Sequence, residues 1–87
     1  MSYRLEITPA AERDLRALQA AILARLDARI RALADNSRPR GVELIRGSRG
    51  GLRLRVGDYR ILYTVDYAQQ MVIIGRVGHR RNVYRGL

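Results

Sequence analysis

The chain contains no cysteine, no lysine and only one histidine among its 87 residues. Without cysteine it can form no disulfide, no thiolate zinc site and no thiol nucleophile, and a single histidine argues against a protein-only transition-metal site. No apolar run approaches the roughly 20 residues that cross a bilayer, and the N-terminal residues do not follow a signal-peptide pattern. These absences predict a cytoplasmic protein that has neither a bound metal nor a membrane anchor.

Length and composition predict one globular domain spanning residues 1–87. Apolar residues make up 47% of the chain and charged residues 29%, which is typical of a folded protein rather than a disordered tail. A chain of this size buries roughly 60–65% of its unfolded surface when it folds, so one core is possible and a second is not.

Positive charge is concentrated in the second half of the chain. Residues 1–37 carry six arginines and five carboxylates, whereas residues 38–87 carry eleven arginines and three carboxylates, which leaves net charges of +1 and +8. Such a charge attracts polyanions, for example RNA, DNA or an acidic partner. The exclusive use of arginine has a simple explanation in the codon composition of a GC-rich genome, but arginine also stays charged and binds phosphate through two parallel hydrogen bonds.

The first 36 residues are predicted to form a short strand and two helices. Apolar residues alternate with charged ones over residues 3–7, and Thr8 and Pro9 then supply a helix cap and a first helical residue. A single helix from Pro9 to Asn36 would be about 40 Å long, which is too long for so small a domain. Two helices with a break near residues 19–21 are therefore expected, and their apolar stripe should face the core: Leu15, Leu18, Ile22, Leu26, Ile30 and Leu33.

The second half has the pattern of an antiparallel sheet. A glycine-rich loop at residues 47–51 follows a possible short strand, and the later strands are joined by loops short enough for hairpins. The predicted fold is of the α+β class, with the order β-α-α-β-β-β and a two-helix hairpin packed on one face of an antiparallel sheet. The predicted strands of this half are 52–56, 59–65 and 71–77, and residues 42–46 form the possible short strand before the loop.

The segment GLRLRVGDYRILY places several arginines on one face of the predicted sheet. Side chains two residues apart in a strand share a face, so Arg53 and Arg55 lie on one side, roughly 6.6 Å apart, and the leucines between them lie on the other. Arg60 is predicted to share the face of this pair. Two interpretations remain: the arginines bind RNA phosphates, or they only keep a solvated strand face soluble.

Two segments, GLRLRVGDYRILYTV and VIIGRVGHRRNVYRGL, resemble the second half of RelE-type toxins of the RelE/ParE toxin–antitoxin superfamily. The first half agrees with this resemblance, which covers nearly the whole chain. It implies a monomeric, metal- and cofactor-independent endoribonuclease that enters the ribosomal A site and cuts the bound mRNA, thereby inhibiting translation. It also implies a cognate acidic, RelB-like antitoxin that wraps the toxin in a hetero-oligomer and holds it inactive.

The same resemblance assigns the site residues. Arg53 and Arg55 occupy the family's basic pair, which is lysine in the best-known members, and Arg60, Arg80 and Tyr84 match the other catalytic positions. Five further arginines, which the resemblance does not assign, are predicted to bind RNA because of the positive charge of this half: Arg46, Arg49, Arg76, Arg81 and Arg85.

Cleavage through the ribose 2′-hydroxyl needs a base, an acid and cations that stabilise charge on the phosphorane. Arginine suits the last role and accepts a proton less readily than lysine. Histidine titrates nearest pH 7, which makes His79 a candidate proton carrier, whereas the family pattern favours Arg80 and Tyr84.

Two other functions remain open from the sequence. A ParE-like toxin has the same fold and inhibits DNA gyrase without nuclease chemistry. A non-catalytic member would bind only its antitoxin or a nucleic acid.

Overall fold

The structure, a computed structural model, describes residues 2–84, which form two helices and one five-stranded sheet. Within these residues neither helix is long and apolar enough to span a bilayer. In chain order the elements are β1 (Arg4–Ile7), α1 (Pro9–Arg16), α2 (Ala20–Ala32), β2 (Glu43–Leu44), β3 (Leu52–Val56), β4 (Tyr59–Asp66) and β5 (Met71–His79).

The sheet is mixed, with the strand order β1-β5-β4-β3-β2. Strands β2 to β5 pair antiparallel, as their short loops predict, but β1 runs parallel to β5, with Arg4 opposite Met71 and Ile7 opposite Ile74. The prediction of a purely antiparallel sheet was therefore wrong at this edge. Hairpin reasoning applies only to strands joined by tight turns, whereas β1 connects to the rest of the sheet through two helices, and such a long connection permits a parallel pairing.

Thr8 and Pro9 begin the first helix as predicted. Thr8 Oγ1 accepts a hydrogen bond from the Ala11 amide at 3.2 Å and donates one to the Gly75 carbonyl at 3.0 Å, so the cap also fastens the helix to β5. The helical region breaks between Arg16 and Ala20, close to the predicted position.

The core lies between the two helices and one face of the sheet. Ala11, Leu26, Ile30 and Leu33 are at most 2% exposed and belong to the same cluster as the inward residues of β3, β4 and β5. The helical stripe therefore packs against the sheet, as predicted. The inward sheet residues are Leu52, Leu54, Val56, Ile61, Tyr63, Val72, Ile74 and Val77.

A β-bulge sets which residues of β5 face inward. Leu62 lies opposite Arg76 and Tyr63 lies opposite Ile74, so Gly75 is an extra residue without a partner in β4. Strict alternation would place Arg76 on the core side together with Ile74. The bulge reverses the phase, so that Arg76 shares the face of Leu62.

Tyr63 makes the stability of the fold sensitive to alkaline pH. The side chain is 2% exposed, its hydroxyl donates to the Ser37 carbonyl at 2.7 Å, and burial raises its pKa to about 12. The unfolded chain loses this proton near pH 10 while the folded chain retains it, so the free energy of unfolding should fall as pH rises from 10 to 12. At pH 11.5 this loss amounts to about 2 kcal/mol.

Urea denaturation at pH 9 and pH 11.5 measures this dependence. Tyr63→Phe should lose less stability between the two pH values than the wild type does, whereas Tyr67→Phe, at an exposed position, should behave like the wild type. An equal loss in the wild type and in Tyr63→Phe would show that other groups cause the alkaline dependence.

Candidate nucleic-acid interface

The candidate site lies on the sheet face that the helices leave uncovered, the open face. Arg55 lies opposite Arg60, which in turn lies opposite Gly78, and Arg53 lies opposite Leu62. Residues directly opposite one another in neighbouring strands share a face, so Arg53, Arg55 and Arg60 project from the same side of the sheet. The face that the sequence predicted for these three arginines is therefore confirmed.

A carboxylate lies between the first two arginines. Glu43 of β2 is the cross-strand neighbour of Arg53, and its Oε1 atom lies 3.7 Å from Nε of Arg53 and 3.7 Å from Nε of Arg55. The Nε of Arg53 is buried and makes no hydrogen bond. The missing hydrogen bond is offset in part by the electrostatic attraction between this guanidinium and the Glu43 carboxylate.

Tyr84 completes this part of the open face. Arg53 Nη1 donates a hydrogen bond to Tyr84 Oη at 2.9 Å, and this bond raises the pKa of the Arg53 guanidinium above its ordinary value. The preceding residue, Val83, is 1% exposed and packs against Gly78. The chain after β5 thus folds over the sheet and brings the tyrosine hydroxyl to the arginines, as the sequence suggested.

Arg60 and Arg80 are both tied to the tight turn between β3 and β4. Arg60 Nη1 donates to the carbonyls of Gly57 and Tyr59 at 3.0 and 2.9 Å. The Arg80 amide donates to the Asp58 carbonyl at 2.8 Å, and Arg80 Nε lies 3.9 Å from Asp58 Oδ1. Gly57 has a φ of 60°, a conformation that glycine adopts without strain. The turn therefore holds both guanidinium groups at the same end of the open face.

His79 lies on the helix side of the sheet, away from these arginines. It is opposite Tyr59, which is opposite the core residue Val56, and the Tyr59 and His79 rings meet edge to face at 5.5 Å. The imidazole lines a cleft together with residues of α1, including Arg13 and Asp14. The structure thus brings Arg53, Arg55, Arg60, Arg80 and Tyr84 to the open face or its end, and it does not bring the histidine there.

The arginines assigned to RNA binding fall into different environments. Arg46, Arg49 and Arg81 are exposed. Arg76 makes an ion pair with Asp14 at 2.8 Å, which raises its pKa, and the Val77 amide donates to the same carboxylate at 2.9 Å. Arg76 therefore fastens α1 to β5. Arg85 lies outside the described residues.

The open face also has an apolar half, which sequence reasoning missed. A concavity of about 590 Å³ is lined by Ile45, Leu62, Thr64 and Ile73, and it adjoins the basic half where Leu62 lies opposite Arg53. Ile73 lies within a run of apolar residues, 71–74, that shows no alternation of polarity, and Ile45 reaches the concavity from a loop. Neither placement follows from local alternation.

Comparisons with known proteins identify the family to which this fold belongs. The family described as "ParE toxin of type II toxin-antitoxin system, parDE" matches residues 5–84. Toxin RelG of Mycobacterium tuberculosis is 39% identical over 98% of this chain and 99% of its own length.

Solved structures with the same fold include a chain of the toxin–antitoxin complex RelBE2 from M. tuberculosis. It is 33% identical with a TM-score of 0.81, covering 94% of this chain and 95% of that one. A chain of the archaeal RelE–RelB complex from Pyrococcus horikoshii is 26% identical with a TM-score of 0.80, covering 95% of this chain and 100% of that one. The chain therefore belongs to the RelE-type toxins of the RelE/ParE superfamily, the toxic components of type II toxin–antitoxin systems.

Proposed function

We propose that this toxin is a metal-independent endoribonuclease that cuts mRNA in the ribosomal A site and so inhibits translation. The observation that carries the proposal is the convergence of Arg53, Arg55 and Arg60 on one sheet face with Tyr84 and Glu43 among them. A face that served only solubility would need neither a carboxylate held between two arginines nor a tyrosine brought there by the end of the chain.

The arginines serve to bind the scissile phosphate and to stabilise the charge that develops on it. Arg53 is partly exposed on the open face, and Arg55 is exposed beside it. Donors fixed in advance around a phosphorane lower its energy without reorganising during the reaction. Arg60 and Arg80, held by the turn between β3 and β4, supply further donors to the same phosphate from the end of the open face.

Glu43 is the group on this face that is best suited to accept the 2′-hydroxyl proton. Arginine stays protonated at neutral pH, and His79 lies on the helix side of the sheet. The Glu43 carboxylate takes the proton, the 2′-oxygen forms a bond to phosphorus, and the bond from phosphorus to the 5′-oxygen breaks. Tyr84 accepts a hydrogen bond from Arg53 through its oxygen, which leaves its O–H able to protonate the departing 5′-oxygen. The products are a 2′,3′-cyclic phosphate and a 5′-hydroxyl.

Cleavage of a defined mRNA on purified ribosomes tests this function. Primer extension should detect cuts at the A-site codon when ribosomes are present and none when the same mRNA is incubated without them. Because the matched family carries the ParE name, a DNA gyrase supercoiling assay is the parallel measurement. Inhibition of gyrase without mRNA cleavage would replace the nuclease function with gyrase inhibition.

Binding to single-stranded RNA should weaken steeply as salt concentration rises. Each phosphate contact releases condensed counterions, so the logarithm of the affinity falls linearly with the logarithm of the salt concentration. Arg55→Ala should reduce the slope by about 0.7 because it removes one such contact. Fluorescence anisotropy with a labelled oligonucleotide measures both slopes, and a flat response of the wild type would show that the arginines do not bind phosphates.

The partner that we propose for the open face is an acidic, RelB-like antitoxin. The M. tuberculosis and P. horikoshii structures are toxin–antitoxin complexes, and the open face here joins a basic half to an apolar half. An amphipathic segment with carboxylates near one end fits both halves at once. The resulting hetero-oligomer would block access of RNA to Arg53 and Arg55.

Hydrogen exchange of the toxin with and without its antitoxin should locate this interface. Protection is expected in β3, in the loop at residues 45–51 and around Tyr84, because these segments border both halves of the open face. Protection confined to the exposed sides of α1 and α2 would contradict direct occlusion of the site.

A further inference from the structure

The chain after β5 forms a tight turn at residues 79–84, the C-terminal turn, which carries two of the proposed site residues. The carbonyl of His79 accepts hydrogen bonds from the amides of Asn82 at 2.8 Å and Val83 at 3.0 Å. These bonds form a single helical turn, and such a turn leaves its first amides without carbonyl partners. The amide of Arg81 is one of them.

The histidine side chain supplies the partner of that amide. His79 Nδ1 accepts a hydrogen bond from the Arg81 amide at 3.2 Å. The residue thus caps the C-terminal turn in the same way that a serine or an asparagine caps a helix. Only an imidazole with an unprotonated Nδ1 can do this, because both nitrogens of a protonated imidazole are donors.

The His79 ring lies away from the open face, which fits a capping role and not proton transfer. Its edge-to-face contact with Tyr59 lies on the helix side of the sheet, whereas Tyr84 meets Arg53 on the open face. The Asp14 carboxylate in the same cleft already accepts from Arg76 and from the Val77 amide. Six other charged or titratable groups surround the ring. They come from the elements that line its cleft and from the C-terminal turn: Arg13, Asp14, Tyr59, Arg76, Arg80 and Arg81.

We propose that His79 is a positioning residue, whose neutral imidazole holds the C-terminal turn so that Arg80 and Tyr84 lie against the open face, and that protonation of the ring releases this turn. The activity part of the inference rests on the proposed nuclease function, whereas the structural part does not. Protonation of the ring turns Nδ1 from an acceptor into a donor, so the protonated side chain cannot hold the Arg81 amide.

Two substitutions separate positioning from proton transfer. His79→Asn keeps a side-chain acceptor that caps well and does not titrate, whereas His79→Ala removes the acceptor. The first measurement is amide hydrogen exchange of Arg81 by NMR at pH 7.5 and pH 5.5, corrected for the intrinsic effect of pH. Protection in the wild type should fall about fivefold at the lower pH, as expected for the loss of one cap. It should stay constant in His79→Asn and be low at both pH values in His79→Ala.

The second measurement is ribosome-dependent cleavage at pH 7.5. His79→Asn should cleave within about twofold of the wild-type rate, and His79→Ala should lose about fivefold because a smaller fraction of molecules has the turn formed. The positioning role is overturned if the Arg81 amide has the same protection in all three proteins. It is also overturned if both variants lose cleavage equally while the Arg81 amide stays protected, and that second result would identify His79 as a proton carrier. If even the wild type cleaves no mRNA, the proposed function fails, and the exchange data still decide the role of His79.

Discussion

Arg60→Ala and Arg80→Ala should each reduce ribosome-dependent mRNA cleavage by about a hundredfold to a thousandfold and abolish growth arrest. The loss of one preorganised donor to a reacting oxyanion typically has this effect on the rate. The Arg60 guanidinium is held by the Gly57 carbonyl, whereas Arg80 is held through its amide to the Asp58 carbonyl and through an exposed ion pair with Asp58 at 3.9 Å. These contacts reduce the conformational freedom that each side chain loses when it meets the phosphate.

The matched control removes the same charge elsewhere. Arg29 is exposed on α2, and the helices pack on the other face of the sheet. Arg29→Ala therefore changes the net charge equally and should leave cleavage within about twofold, because solvent and salt screen its charge from the open face. Thermal unfolding of all three variants identifies any loss of fold, which matters because Arg60 also donates to the carbonyls of its turn. If Arg60→Ala and Arg80→Ala fold and keep full toxicity, the nuclease function is refuted and gyrase inhibition becomes the better proposal.

Local sequence patterns were sufficient for most of the fold. The alternation in residues 52–56 placed Arg53 and Arg55 on one face because a strand has a side-chain period of two, and burial of the leucines fixes the phase. The Thr8 cap and the apolar stripe likewise located both helices. These signals are local, and the structure retains them because local preference and core packing agree at these positions.

Features that depend on long-range pairing were not visible in the sequence. The parallel partner of β1 is β5, more than sixty residues later in the chain, and no local pattern encodes that choice. Glu43 belongs to a strand of two residues whose register with β3 is too short to predict. The side of the sheet that His79 occupies depends on the bulge at Gly75, because the bulge resets the alternation of β5 after Ile74.

Arginine occupies both positions of the basic pair, Arg53 and Arg55, where the family resemblance leads us to expect lysine. An arginine pair binds phosphate well but accepts no proton near neutral pH, so a nuclease built on it needs a base from elsewhere. The structure places a carboxylate oxygen 3.7 Å from Nε of both arginines. In the proposed mechanism, the Glu43 carboxylate and the arginine pair divide two tasks that a lysine pair could combine.

Glu43→Gln should lower the maximal rate of cleavage by about a hundredfold or more, the usual contribution of a general base. The amide keeps the size of the side chain but cannot take the 2′-hydroxyl proton. RNA affinity should be unchanged or tighter, because a negative charge beside Arg53 and Arg55 is removed and phosphate no longer competes with it. The expected result is therefore a fall in kcat without a rise in KM.

Single-turnover cleavage on ribosomes and anisotropy with the same RNA sequence measure the two quantities separately. Glu6→Gln, which removes an equal charge from an exposed position of β1, is the control and should leave both unchanged. A residue that only held the two arginines in place would give a different pattern, since its loss would weaken RNA binding and raise KM. Wild-type cleavage by Glu43→Gln would exclude Glu43 as the base and leave Tyr84 as the remaining titratable group that the structure places beside Arg53.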